Sequence, residues 1–164
     1  MTNAKAAFNG LPAITVKSAQ PSWICLRIEP DFAVKDRIIE FFYEQLEDLA
    51  PDLRNDLCMA LDELLGNAFE HGSASEPRSG VELSYIRTLR MLLWQIKDAG
   101  PGFSLDALPH AALNNPPEDP LRHAEHRSLL GLRPGGFGIM LVKQIADDLI
   151  YNEQGNEVVL VKYL

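Results

Sequence analysis

Three polar residues follow one another at helical spacing between residues 57 and 72. Glu63, Asn67 and His71 are four residues apart, so an α-helix would project them from one face. An Asn oxygen is a neutral ligand that suits Mg²⁺, and a nearby carboxylate can accept a proton. The spacing is typical of a magnesium–nucleotide site, but an amphipathic helix with a solvated polar face has the same pattern.

A second group of candidate residues is Asp98, Gly100 and Gly102, which end a strand-like stretch. Glycine backbone lets a ligand approach closely, and the carboxylate can accept a hydrogen bond from an amine such as that of adenine. A tight turn with a solvated Asp98 explains the same residues. The string also begins the cofactor loop of many methyltransferases, so alone it does not identify the ligand.

A third group comprises Gly135, Gly136, Phe137 and Gly138, directly before a helix-like stretch. Glycines at a helix start let phosphate oxygens reach free backbone amides at the positive end of the helix dipole. No Gly-Lys-Ser/Thr follows, which excludes a P-loop, and the position near the C-terminus argues against a dinucleotide-binding fingerprint. A loop selected only for its turn geometry is the alternative.

The apolar periodicity predicts the elements that must position these residues. Apolar residues at helical spacing predict helices over about residues 32–49, 51–71 and 139–147. Apolar and alternating runs predict strands over about residues 23–28, 81–88, 89–97, 149–152 and 157–164. Gly155 and Asn156 are a turn pair typical of a hairpin between the last two strands.

Two regions are patterned less clearly. Residues 1–20 are predicted to form a flexible N-terminal segment with a short strand near residues 14–16, which leaves a domain over residues 21–164. Residues 104–134 are rich in proline, and a connection of this length is functional or disordered. We interpret it as a mobile lid and expect its histidines to be solvated, namely His110, His123 and His126.

The composition excludes several classes of protein. A chain of 164 residues and 18.3 kDa suits one domain, and its formal net charge of −8 disfavours general nucleic-acid binding. The sequence contains no apolar run long enough to span a membrane, and residues 1–10 lack the order of a signal peptide. Cys25 and Cys58 look like reduced core residues, so we expect a cytoplasmic protein.

The order of the three motifs resembles the GHKL ATPase superfamily, and most closely its RsbW-type anti-sigma-factor serine/threonine kinases. The resemblance covers roughly residues 20–164. The residues that match the family's three motifs are Glu63, Asn67, His71, Gly72, Asp98, Gly100, Gly102, Gly136 and Gly138.

This resemblance implies an α+β fold: a two-layer α/β sandwich of the Bergerat type, with a mixed, mostly antiparallel sheet covered by helices on one face. It implies ATP and Mg²⁺ as cofactors, with Glu63 as the general base, Asn67 as the magnesium ligand and Asp98 as the adenine ligand. Arg133 is the best candidate for an arginine on the phosphates, ahead of Arg122 and Arg127. The other implied nucleotide contacts are Gly100, Gly102, Gly135, Gly136, Phe137 and Gly138.

The function that the resemblance implies is an ATP-dependent serine/threonine protein kinase that is also an anti-sigma factor in transcription regulation. Its partners would be a STAS-type anti-sigma-factor antagonist, which it phosphorylates, and a sigma factor, without direct nucleic-acid or membrane contact. Dimers are common among the proteins it resembles. The alternative is a nucleotide- and partner-binding module of the same fold without kinase activity. A methyltransferase, read from Asp98 and its glycines, leaves Glu63 and Asn67 unexplained.

Overall fold

Strands with alternating burial form one six-stranded sheet in the computed structural model, which describes residues 3–20, 22–72, 80–104, 108, 111–131 and 136–164. The strands are β1 (Ile14–Gln20), β2 (Trp23–Ile28), β3 (Val81–Arg87), β4 (Met91–Lys97), β5 (Asp148–Tyr151) and β6 (Glu157–Tyr163). Their order is β1-β2-β3-β4-β6-β5, and all five pairings are antiparallel. The mostly antiparallel sheet implied by the resemblance is confirmed, and none of the pairings between the described strands is parallel, so the sheet is not mixed.

The helices cover one face of this sheet. They are α1 (Ala4–Ala7), α2 (Phe32–Gln45), α3 (Pro51–Asn67), α4 (Arg122–Leu129) and α5 (Gly138–Ile145). Helix α3 packs between α2 and α5. On the covered face the strands present buried residues in register, among them Leu26, Leu83, Ile96 and Val158. This is the predicted two-layer α+β sandwich.

The apolar face predicted for α3 is the inner face of that helix. Leu57, Leu61, Leu64 and Leu65 are all at most 2% exposed, and Ala68 just beyond the helix is also buried. Burying a leucine side chain stabilises a fold by about 1.5–3 kcal/mol, so this stripe fixes the rotation of the helix about its axis. The polar residues of α3 are therefore held on the remaining faces.

The N-terminal region differs from the predicted flexible segment. Within the described residues 3–20 the chain forms α1 and a β1 of seven residues, longer than the short strand expected near residues 14–16. Phe8 is buried, and its ring lies 4.8 Å from that of Phe41 in α2. A domain boundary at residue 21 stays a prediction.

The spacing of the sequence predicted a regular helix over residues 51–71, but the observed helix α3 does not continue regularly to His71. Helix α3 ends at Asn67, and a π-helix follows over Ala68–Gly72. The wider π turn changes the angular spacing of residues, so the helical face that contains Glu63 and Asn67 does not extend regularly to His71. The side chains of residues 71 and 72 lie outside the described part of the chain.

The proline-rich segment contains secondary structure that the sequence did not predict. A 3₁₀ turn spans Ala112–Asn114, and α4 spans Arg122–Leu129. The predicted lid boundaries stay a prediction, since parts of residues 104–134 lie outside the description. None of the helices in the described residues has the length and apolarity needed to cross a bilayer.

Candidate functional site

Glu63 and Gly138 belong to different motifs of the sequence, and the structure places them in contact. Glu63 lies on α3, and Gly138 is the first residue of α5, which packs against α3. A Cβ added to Gly138 would overlap the Glu63 Oε2 atom and lie 3.1 Å from its Cδ. The carboxylate therefore lies directly over the Gly138 backbone, in space that any other residue type would fill.

The start of α5 is suited to an anion. The residue before the helix is Phe137, whose side chain makes no capping hydrogen bond, and the first turn of α5 carries no acidic residue of its own. The helix dipole makes this end positive, and uncapped amides are available there. Ile139, Val142 and Ile145 are buried, so the helix start is held firmly against the core.

Asn67 lies one helical turn beyond Glu63, about 6 Å further along the α3 axis. It is half-buried and is the last α-helical residue before the π-helix. π-helical turns occur frequently at functional sites. Asn67 and Glu63 therefore remain on neighbouring positions of one helix face, as the sequence predicted, at the end of α3.

Asp98 follows β4 and is fixed by the turn that it begins. Its Oδ1 accepts a hydrogen bond of 2.8 Å from the backbone N–H of Gly100. Burial raises the pKa of the Asp98 carboxyl, and the Gly100 bond, which favours the charged form, opposes that rise. A half-buried carboxylate with one oxygen fixed by the backbone is a suitable acceptor for an amine hydrogen.

The Asp98 turn is held by the hairpin between β5 and β6. The backbone N–H of Asp98 donates to the Asn156 carbonyl at 3.0 Å, and the Asn156 side-chain amide donates to the Gly100 carbonyl at 3.2 Å. The Gln154 side-chain amide also reaches the Gly100 carbonyl, at 3.4 Å. The sequence identified Gly155 and Asn156 as a turn pair but gave no signal that this hairpin supports the Asp98 turn.

Two glycines with positive φ allow this packing. Gly102 has φ +74°, and a Cβ on it would overlap the carbonyl oxygen of Gln154. Gly155 has φ +77°, and a Cβ on it would overlap the carbonyl oxygen of Phe103. Only glycine tolerates both the conformation and the close approach. The structure thus gives Gly102 a packing role, while its place in a base pocket stays a prediction.

The structure describes only some of the remaining predicted residues. Gly136 accepts a 2.8 Å hydrogen bond on its carbonyl from the backbone N–H of Ala112, so the 3₁₀ turn is attached to the glycine motif. Phe137 is 44% exposed. Arg133 and Gly135 lie outside the described residues, as does His110. The alternative arginines, Arg122 and Arg127, are both on α4.

The expectation that His123 is solvated is wrong. His123 is fully buried, and its ring stands edge-on to the ring of Phe137 with 4.5 Å between centroids. It lies on α4, most of whose other residues are polar, so the sequence shows no apolar stripe that would have revealed its burial. His126, on the same helix, is partly exposed.

The structure therefore forms two separate groups from the predicted residues. One joins Glu63 to the start of α5, and the other joins the Asp98 turn to the last hairpin; no hydrogen bond between described residues links the two. Both groups adjoin strand β3. Lys97, the residue before Asp98, pairs with Glu82 near the start of β3, and the π-helix after Asn67 contacts β3. Within the described ranges, no cluster of three or more His, Cys, Asp or Glu residues is placed to hold a metal ion.

Comparisons with known proteins identify the family of this chain. The family model of the histidine kinase-like ATPase domain matches residues 34–162, which include both groups of residues. The chain is also similar to a protein named serine-protein kinase RsbW from Oceanobacillus iheyensis. The two are 26% identical over 125 residues, which cover 76% of this chain and 69% of that protein.

Proposed function

Because the chain belongs to the histidine kinase-like ATPase family, we propose that it is an ATP-dependent serine/threonine protein kinase and anti-sigma factor. Its substrate is a STAS-type anti-sigma-factor antagonist. The observation that carries the proposal is the contact between the Glu63 carboxylate and Gly138, which puts a proton acceptor at an uncapped helix start. The similarity to a serine-protein kinase supports the choice of acceptor.

The residues of the two groups fit a nucleotide. The amides at the start of α5 suit the phosphates, because an uncapped helix N-terminus binds anions. Asp98 offers an acceptor for the adenine amine. Gly138, which lacks a Cβ, lets the Glu63 side chain reach the helix start without a clash.

A divalent cation also fits this site. The Glu63 carboxylate already lies at the start of α5, so phosphates bound there would face a second negative charge. The neutral oxygen of Asn67, one turn away on α3, suits Mg²⁺ without adding charge. Bound Mg²⁺ supplies positive charge that neutralises the phosphates and lowers the repulsion between them and Glu63.

In the proposed reaction, Glu63 accepts the proton of a serine or threonine hydroxyl on the antagonist. The hydroxyl oxygen forms a bond to the γ-phosphorus, while the bond from that phosphorus to the β,γ-bridging oxygen breaks and ADP leaves. Phosphoryl transfer requires mainly positioning and charge stabilisation, which Glu63, Asn67 and the α5 amides can provide together.

Partner exchange follows from this activity. We propose that the unphosphorylated antagonist occupies the kinase and keeps it from the sigma factor, and that phosphorylation releases the antagonist so that the kinase binds the sigma factor again. The proposed setting is the cytoplasm, where such a protein regulates transcription without touching DNA itself. A homodimer is part of this proposal.

The experiment is transfer of label from γ-labelled ATP with Mg²⁺ to a purified STAS-domain protein from the same organism. Label on a serine or threonine of that protein is expected, and it should be lost with Glu63→Gln and on chelation of Mg²⁺. Tight ATP binding without any label would support a nucleotide- and partner-binding module instead. Stabilisation by S-adenosylmethionine and not by magnesium-ATP would overturn the whole nucleotide assignment.

A further inference from the structure

A buried histidine joins the segment of residues 111–131 to the glycine motif, and the proposed chemistry does not use it. His123 on α4 is fully buried and packs edge-on against Phe137, the residue between Gly136 and Gly138. The backbone N–H of Ala112 holds the Gly136 carbonyl from the same segment. We call Asn115, His123 and Phe137 the His123 cluster.

The hydrogen bonds of Asn115 determine where the ring proton of His123 lies. Asn115 Oδ1 accepts the backbone N–H of His123 at 2.9 Å, and Asn115 Nδ2 contacts both the Pro120 carbonyl oxygen and the His123 Nδ1 atom. A backbone N–H can only donate and a carbonyl can only accept, so the amide has one allowed orientation. Nδ2 must then donate to Nδ1, and a neutral ring carries its proton on Nε2.

This Nε2–H group is buried without a partner among the described residues. Burying an unpaired donor is costly, and a phenylalanine or leucine would fill the same space without that cost. The acceptor at Nδ1 is the feature that those residues lack. Histidine at this position therefore does more than fill space, because it is orientated by Asn115 and presents its ring to Phe137.

We infer that His123 is a positioning residue of the nucleotide site, and this inference rests on the proposed function. Asn115 orientates the His123 ring, the ring fixes Phe137, and Phe137 sets the backbone of the turn between Gly136 and Gly138. The turn is then ordered before phosphates bind, so less free energy is spent on ordering it during binding. His123 contributes to nucleotide affinity through this turn and does not touch the reacting atoms.

The test measures nucleotide affinity in matched variants of the full chain. In His123→Phe the ring remains but the Asn115 acceptor is lost; in His123→Asn a carboxamide oxygen replaces Nδ1 but the ring is lost; and in Asn115→Ala the ring loses its donor. Each should raise the Kd for magnesium-ATP and for magnesium-ADP by about tenfold, the lower end of the losses in affinity seen when residues that orient metal ligands are removed. His126→Ala, on the same helix, is the control and should bind like the wild type.

Kinetics separate positioning from a general loss of structure. Bound phosphates order the turn in the wild type and in the variants alike, so KM for ATP should rise with kcat for transfer nearly unchanged. Two-dimensional NMR of ¹⁵N-labelled histidine should show His123 protonated on Nε2 in the wild type, and this measurement needs no variant to fold. A ring protonated on Nδ1, or variants that lower the melting temperature while Kd stays constant, would overturn the proposal.

Failure of the proposed function would be recognised separately. If the wild type binds magnesium-ATP but transfers no phosphate, the kinase assignment fails, while the Kd comparison still decides the role of His123. If the wild type binds no adenine nucleotide, both proposals are wrong.

Discussion

The two groups of predicted residues are built by different kinds of contact. The Asp98 turn meets the last hairpin through backbone against backbone, with Gly102 over Gln154 and Gly155 over Phe103. At the start of α5, Gly138 meets the flexible end of the Glu63 side chain. A backbone contact can relax only by moving the chain, whereas a side chain can rotate away. The first region is therefore fixed by the fold, and the second can change its geometry during a reaction.

The largest effect is expected at the side-chain contact. Glu63→Gln should lower kcat for phosphoryl transfer by about a hundredfold or more, because it removes the proton acceptor while keeping the shape of the residue. Single-turnover transfer measures kcat, and calorimetry should show that ATP binding is retained. Asp62→Asn is the control, since Asp62 on the same helix pairs with Lys35 at 2.7 Å. Equal losses in both variants would contradict a specific role for Glu63.

The backbone contact predicts a loss of stability. Gly102→Ala should lower the free energy of unfolding by about 3 kcal/mol, because the new Cβ meets a backbone carbonyl and an L-residue is strained at positive φ. Chemical denaturation provides the measurement. Gly10→Ala is the matched control, since Gly10 has φ +79° with no atom within 4 Å of a Cβ, so only the conformational cost of about 1–2 kcal/mol applies. Similar losses in both would mean that the hairpin contact matters little.

Gly138→Ala should affect the rate of transfer more than it affects stability. Its Cβ meets only the end of the Glu63 side chain, and alanine is a better helix former than glycine. The free energy of unfolding should therefore change by less than about 1 kcal/mol. The displaced carboxylate should lower kcat by roughly tenfold, since misplacement of a catalytic group by about 1 Å is costly. Paired denaturation and transfer assays test this. A large fall in stability with normal kcat would remove the distinction between the two regions.

A smaller effect, on ADP affinity, is expected when Asp98 becomes protonated at acid pH. The ionised carboxylate is a stronger hydrogen-bond acceptor than the protonated acid, in which one oxygen carries a hydrogen, and burial raises the pKa of this group above its ordinary 3.8. ADP affinity should therefore decrease several-fold as pH falls through a midpoint above 3.8. Calorimetry from neutral to acid pH measures the decrease, with Asp98→Asn as the reference for titration of ADP itself. Parallel curves for the two proteins would show that Asp98 does not bind the base.

The smallest effect concerns Gly66, inside α3. A Cβ there would lie 3.9 Å from the Lys35 Nζ atom, an ordinary contact, so Gly66→Ala should stabilise the protein by up to about 1 kcal/mol through helix propensity. Thermal denaturation measures the gain. Unchanged ATP affinity is expected. A fall in affinity would show that the nucleotide approaches Gly66.

The sequence predicted the parts of the fold that have a repeating pattern. The bounds of β2 match the predicted residues 23–28, and the apolar residues predicted for α2 are buried, from Val34 and Ile38 to Phe41, Phe42 and Leu46. The length of strand β1 was underestimated, because the apolar alternation of Ile14 and Val16 is lost at Ser18, where the pairing register shifts. Helix α4 was missed because its buried residue is a histidine and the helix has no apolar stripe.

In the candidate site, too, the sequence predicted the residues that belong to a pattern and missed those that do not. The family's motifs identified Glu63, Asn67 and Asp98 as candidates, and the structure brings Glu63 into contact with Gly138 of a second motif. The roles of these residues at one site stay a prediction. Contacts between residues far apart in the chain leave no periodic signal. The hairpin that supports the Asp98 turn and the burial of His123 therefore required coordinates.

The two edge strands of the sheet, β1 and β5, affect how copies of this protein can associate. On β1 the pairing register shifts between Val16 and Ser18, and Lys17 between them forms an ion pair with Glu82; β5, at the other edge, has only four residues. Interrupted, charged or short edge strands are poor templates for adding another strand. Concentrated solutions should thus resist fibre formation, and any symmetric pair of molecules should join through a face and not through a continuous sheet.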